Sequence, residues 1–244
     1  MGTYFPQGLI LQHDNIREAD RLLIVFTSDH GLIKVIARGV RKITSKLAGN
    51  LEPITLADFM IIQGKYYDVI ASSEPVNIFR NIKNNLNNLQ TMQYICFVVN
   101  RTYTGNQGDQ RIYKLLLEIL KNLENSKNNN NKLLVWYFIL RYISYLGYQP
   151  ELYNCLHCNN KISNENNYFS NKKGGLICNN CYKAIEGSIN ISNNSIKIIR
   201  LMLNKNFSNL SKVIYNNVLI PELDSIVSGY LSYVTEQDLR IRDF

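Results

Sequence analysis

The chain has 244 residues, 45% hydrophobic and 19% charged, the balance of an ordinary folded protein with one large or two small domains. No apolar run approaches the roughly 20 residues of a membrane span, and the opening Met1-Gly2-Thr3-Tyr4-Phe5-Pro6 does not read as a secretory signal, so a cytoplasmic protein is expected. The formal net charge of +8 favours a polyanionic partner over a cationic one.

Residues 7–75 read as strands. Gly8–Gln12 is a short apolar run, and Arg21–Thr27 is a second. Ser28-Asp29-His30-Gly31 has turn chemistry, with Gly31 free to adopt positive φ, and Leu32–Ala37 follows. Residues 21–37 are therefore predicted to be a hairpin. Arg38–Leu51 is an irregular connection, Ile54–Gln63 a fourth strand, Gly64-Lys65 a turn and Tyr67–Ser72 a fifth strand. Five short strands in so few residues predict a small β-barrel, with the OB-fold as the leading form.

From about Ile78 the period changes from two to 3.6. Ile82–Val99 is predicted helical. Ile112, Leu115, Leu116, Ile119, Leu120 and Leu123 mark one helix face, and Leu133–Leu146 is a further helix ending at Gly147 with Pro150 beyond. Two more are expected, over about Ser192–Asn204 and from Pro221 onward. The Asn-rich stretch from Asn125 to Asn131 reads as a solvated loop. The fold class predicted is α+β: an OB-fold barrel over residues 1–77, then a mostly helical domain over 78–244 with a metal-binding insertion at about 153–185.

Two motifs carry chemistry. Cys155-x2-Cys158 and Cys178-x2-Cys181, with 19 residues between the pairs, have the spacing of two knuckles that share one tetrahedral zinc ion. Gly174-Gly175 supplies the tight turn before the second pair. Disulfides would need an oxidising compartment, and four thiolates would leave no open position for a catalytic ion. His157, between two ligands, is an alternative donor. Cys96 lies in an apolar helical stretch and is expected to pack in the core.

The second motif is a run of cations. Lys34, Arg38, Arg41, Lys42 and Lys46 fall within 13 residues that contain no acid. They are the predicted phosphate contacts, against the plainer reading of a solvated loop. Phe26, Phe59, Tyr66 and Tyr67 are available for base stacking, against core packing. The three histidines, His13, His30 and His157, have no patterned catalytic partner, and no nucleotide-binding or hydrolase motif occurs. The chain is therefore expected to bind rather than to catalyse.

These residues resemble the RecO family of bacterial recombination mediators. The likeness runs through Glu18–Leu23, Phe26-Thr27 and His30-Gly31-Leu32, then Ala37–Lys42, Ser45-Lys46-Leu47 and Leu51-Glu52-Pro53. It resumes at Leu146–Leu152, running into the four cysteines and Gly174-Gly175-Leu176-Ile177. The resemblance implies an OB-fold, a helical domain and a structural zinc site. It implies binding of single- and double-stranded DNA, annealing of complementary strands, and association with the bacterial nucleoid. It also implies partnership with RecR, contact with the acidic C-terminal tail of single-strand-binding protein, and loading of RecA on coated strands. Arg141, Lys197 and Arg200 are the positions expected to receive the acidic tail. The competing expectation is an adaptor, recruited by acidic partner tails and binding little DNA itself.

Overall fold

The computed structural model describes residues 2–45, 47, 49–105, 107–126, 131–164, 166–210 and 217–241. Lys46 of the basic run and residues 127–130 of the Asn-rich stretch lie outside the described residues. The chain forms two compact units, Met1–Asn129 and Asn130–Phe244.

The first unit opens with a barrel. Its strands are β1 (Thr3–Tyr4), β2 (Gln7–Ile16), β3 (Asp20–Thr27), β4 (Gly31–Ala37), β5 (Thr55–Ile62) and β6 (Asp68–Asn77). β2 pairs with β3, β3 with β4, β5 with both β2 and β6, all antiparallel. A short parallel pairing of β4 with β6, Val35 opposite Asp68 and Ile36 opposite Val69, closes the ring. This is a closed five-strand barrel of OB type, with β1 extending the line of β2 along β5. β2 and β6 outrun their apolar stretches. The polar ends Asp14–Ile16 and Ser72–Pro75 are held by ladder bonds to β3 and β5, which need no apolar side chain.

Inward residues alternate as the pleat requires. Ile10, Leu23, Val25, Val35, Ala37, Phe59, Ile61 and Ile70 fill the interior, and Val40 and Leu51 from the β4–β5 connection join them. Leu9, Ile24 and Phe26 alternate outward, yet they too are buried. Helices α1 (Arg80–Asn84), α2 (Leu86–Thr102) and α3 (Gln110–Asn125) complete this unit and supply the cover. Phe26 meets the edge of Tyr103, with ring centroids 4.9 Å apart. The amide of Asn100 donates to Gln12 at 2.9 Å, and the Tyr113 hydroxyl donates to Gln7 at 3.1 Å. A strand buried on both faces explains the unbroken run Leu22-Leu23-Ile24-Val25-Phe26. The predicted helix over 82–99 is interrupted because Asn85 is extended (φ −115°) and its side chain caps α2 by accepting from the Asn88 N–H. Gly31 takes φ +65° in the hairpin turn, where a Cβ would also stand 2.9 Å from the Gln107 carbonyl oxygen.

The second unit is built around α4 (Lys132–Tyr145), which is buried on nearly every side from Leu133 to Leu140. It ends as predicted: Gly147 is left-handed (φ +97°), and the Tyr148 N–H turns back to the Ile143 carbonyl at 2.9 Å. A three-stranded sheet follows, β7 (Asn167–Ser170) flanked by β8 (Gly175–Cys178) and β9 (Ile189–Ile191). Helices α5 (Asn193–Asn204), α6 (Phe207–Leu210) and α7 (Ile220–Thr235) complete the unit. Asp224 of α7 fixes α4 by accepting from the Trp136 indole at 2.8 Å and from the Lys132 ammonium at 2.6 Å.

Phe26→Ala empties a fully buried site between the barrel and its helices. It is expected to lower the stability of the first unit by about 3–5 kcal/mol, read from denaturant unfolding.

Candidate nucleic-acid interface and metal centre

The cations of the first unit sit where β4 leaves the barrel. Lys34 points outward from β4, and Arg38, Arg41 and Lys42 are exposed just beyond it. Their backbone is anchored even though their side chains reach solvent. Asp20 accepts the Gly39 N–H at 2.8 Å, and the Arg41 N–H donates to the Ala19 carbonyl at 3.0 Å. The Arg41 guanidinium also donates to the Glu18 carbonyl at 3.1 Å. The basic connection is thus moored to the turn between β2 and β3. Buried Val40 pins it from beneath.

Of the four aromatics proposed for stacking, Phe26 and Phe59 are core residues, 0% and 3% exposed. They serve the barrel, so a stacking role for them is corrected. Tyr66 and Tyr67, in the turn between β5 and β6, are 83% and 52% exposed. Lys65 lies 5.5 Å from the Tyr66 ring centroid. Between this turn and the basic connection, strand register aligns outward Leu22 with Ile36, Ile36 with Val69, and Val69 with Ile62. All four are partly or fully exposed. This aliphatic row was missed in the sequence because it becomes a row only when β4, β6 and β5 are brought side by side. Such a surface offers apolar area for base faces, with cations alongside for phosphates.

The second unit brings the four cysteines together. The sulfurs of Cys155, Cys158, Cys178 and Cys181 all lie within 4.8 Å of one another, and those of Cys158 and Cys178 are 3.8 Å apart. A tetrahedral metal–thiolate shell has its sulfurs ~3.8 Å apart, so the cluster can coordinate a metal ion. His157 contributes a backbone N–H toward Cys155 and not its imidazole. The β7–β8 hairpin carries the second knuckle, with Cys178 at the end of β8 opposite Asn167. The first knuckle is tied to the same strand, since Leu176 accepts the Leu156 N–H at 3.0 Å and donates its own to Glu151 at 2.9 Å. Burial alone would raise the Cys155 thiol, but N–H groups of Cys158, Cys178 and His157 outweigh it and hold it down at about 6. Burial and the neighbouring sulfurs push Cys181 up to about 12. Four adjacent thiols cannot all ionise unless a cation offsets their repulsion. Cys96 is fully buried in α2, as expected of a core thiol.

The three positions assigned to an acidic tail do not share one environment. The Arg141 side chain donates to the carbonyls of Met202 at 2.9 Å and Lys205 at 2.8 Å, closing the C-terminal end of α5. Arg200 donates to the Leu152 carbonyl at 3.1 Å and lies 4.5 Å from the Tyr153 ring centroid. Lys197 is exposed on α5.

A closed OB-type barrel with an anchored cationic connection, joined to a helical unit with a thiol cluster, defines a protein built to bind rather than to turn over substrate. Comparison with known proteins gives the lineage. Residues 1–79 match the family described as Recombination protein O N terminal, and residues 83–243 match Recombination protein O C terminal. The chain belongs to the recombination protein O (RecO) family. It is similar to the DNA repair protein RecO of Dehalococcoides mccartyi strain BAV1, 31% identical over 232 residues, which cover 95% of this chain and 90% of that one. It is likewise similar to the DNA repair protein RecO of Thermoanaerobacter sp. strain X514, 27% identical with 98% and 95% covered. Members of this family are non-catalytic mediators, and this chain has a role in DNA repair and recombination. Among the described residues, no helix is long and apolar enough to cross a membrane.

Cys158→Ser removes one sulfur of the quartet. The variant is expected to retain well below the roughly one metal ion per chain of the parent, measured by elemental analysis, and to unfold at a lower temperature.

Proposed function

We propose that this chain is a recombination mediator that binds and anneals single-stranded DNA and, with RecR, helps load RecA onto strands coated by single-strand-binding protein. The observation that carries the DNA reading is the basic connection itself. Lys34, Arg38, Arg41 and Lys42 are exposed, unopposed by any acid within the run, and set on backbone that is hydrogen-bonded to the neighbouring turn. Lys46 belongs to the same proposed contact by sequence. Phosphates would lie along this edge, while Tyr66, Tyr67 and the aliphatic row accept base faces. Double-stranded DNA would be held through the phosphate contacts alone. The OB-fold over 1–77 takes the strand in this reading, and the helical part, 78–244, takes the protein partners. The protein works in the cytoplasm on the nucleoid.

The metal in this reading is zinc, held by Cys155, Cys158, Cys178 and Cys181 as a closed thiolate shell. Its contribution is folding energy for the segment around 153–185, not chemistry on DNA. The acidic tail of single-strand-binding protein would meet Lys197, with Arg141 and Arg200 offering the guanidinium N–H groups not spent on carbonyls.

The test is fluorescence anisotropy of labelled single-stranded DNA across a salt series. Arg38→Ala/Arg41→Ala/Lys42→Ala is expected to weaken binding and to flatten the log–log salt slope by about 2, since each phosphate contact on a single strand contributes ~0.7. An unchanged slope removes this edge from the DNA site. If the parent chain fails to bind oligonucleotide at physiological salt while holding an acidic tail peptide tightly, the adaptor reading replaces the mediator reading.

A further inference from the structure

The sheet beside the thiol cluster bears a cavity of about 590 Å³, lined by Asn164, Asn166, Asn179, Asn190, Asn193 and Ser192. Its lining is neutral and almost wholly amide. The side chains of Asn164, Asn166, Asn179 and Asn190 are exposed and make no protein hydrogen bond. Each therefore presents two N–H donors and a carbonyl acceptor to whatever enters. Asn193 is already committed, donating to the Asn164 carbonyl at 2.9 Å, and it holds the rim in shape. No cation lines the cavity, so nothing in it would repay the desolvation of a phosphate or a carboxylate. The chemistry selects a neutral, planar ligand with its own donors and acceptors along one edge.

An aromatic platform adjoins it. Register sets Tyr168 of β7 directly beside Asn190 of β9, on the same face of the sheet. Tyr168 stacks on Tyr182 with ring centroids 4.1 Å apart and planes 9° from parallel. Cations flank the cavity outside it. Exposed Lys183 follows Tyr182, and exposed Lys197 sits one helical turn from Asn193 on α5. The acid that faces this end of α5, Glu222, is engaged by the Ser192 N–H at 2.6 Å.

We infer that this cavity is a second DNA contact, a pocket for one unpaired nucleobase of a single strand. The inference rests on the DNA reading above. A base edge satisfies side-chain amides in pairs, as Asn does with adenine. Its face can lie against the tyrosine platform, and the adjoining phosphates run past Lys183 and Lys197. Unlike the barrel's cationic edge, this contact senses bases and is blind to a bare backbone.

The experiment uses the full-length, metal-loaded chain and two labelled oligomers of equal length, one adenine-rich and one fully abasic. The parent is expected to prefer the normal strand. Asn166→Ala/Asn190→Ala, which removes only exposed amides, is expected to reduce that preference about tenfold, the scale of one lost bidentate contact, with the salt slope unchanged. Asn190→Asp keeps the size but replaces donors with a negative charge, and should weaken the normal strand at least as much. The barrel triple variant should do the reverse, losing slope and keeping the preference. An undiminished preference in both Asn variants overturns the pocket and leaves the barrel reading intact. No binding of either oligomer by the parent overturns both.

Discussion

The parallel pairing of β4 with β6 is the constraint on which the first unit depends. Because β4 takes β6 as its neighbour, the chain leaving β4 cannot turn directly into the next strand and must cross the barrel end to reach β5. That crossing explains the mixed character of residues 38–54. Val40 and Leu51 drop into the opening and complete the interior. The residues between them are forced outward, and there the chain carries its cations. Exposure of the basic run and closure of the core are thus two sides of one geometric requirement. The Asp20 carboxylate and the Ala19 carbonyl then fix the crossing against the β2–β3 turn, so the cations are presented from a held backbone.

Much of this was legible in the sequence, and the parts that were not share a cause. Alternation gave the five barrel strands. The 3.6 period gave α3, and Gly147 gave the end of α4. The cysteine spacing predicted a cluster that the structure brings within 4.8 Å. What periodicity cannot show is which element lies beside which. Phe26 and Tyr67 look equally available along the chain, yet one is covered by Tyr103 and the other stands in a turn. Arg141 and Arg200 look like spare helix cations until Met202, Lys205 and Leu152 are found beneath them. The break at Asn85 needed knowledge that an extended residue there caps the next helix. β9, too short to carry a pattern, was invisible.

The asparagines show how composition can hide a local arrangement. Along the chain they read as bias and solvated loops. In the second unit, three-stranded pairing gathers several of them on one face, opposite the side that buries Phe169, Leu176 and Ile191. The thiol cluster is part of what keeps that face formed. Cys178 ends β8, and the first knuckle bonds to the same strand through Leu156 and Glu151. A metal bound there would therefore govern the order of the whole small sheet, and its influence would extend beyond its four ligands.

Closure of the barrel also bears on how the protein survives at high concentration. An open sheet edge is a template on which other chains can pair, and a ring has none. The small sheet has two edges, but β8 is occupied along its outer side by Glu151 and Leu156. That leaves β9, whose three residues run straight into α5 and give an incoming strand little to grip. Among the described residues, the protein has almost no free strand edge, so contacts with partners must be made through side-chain surfaces and not by adding a strand.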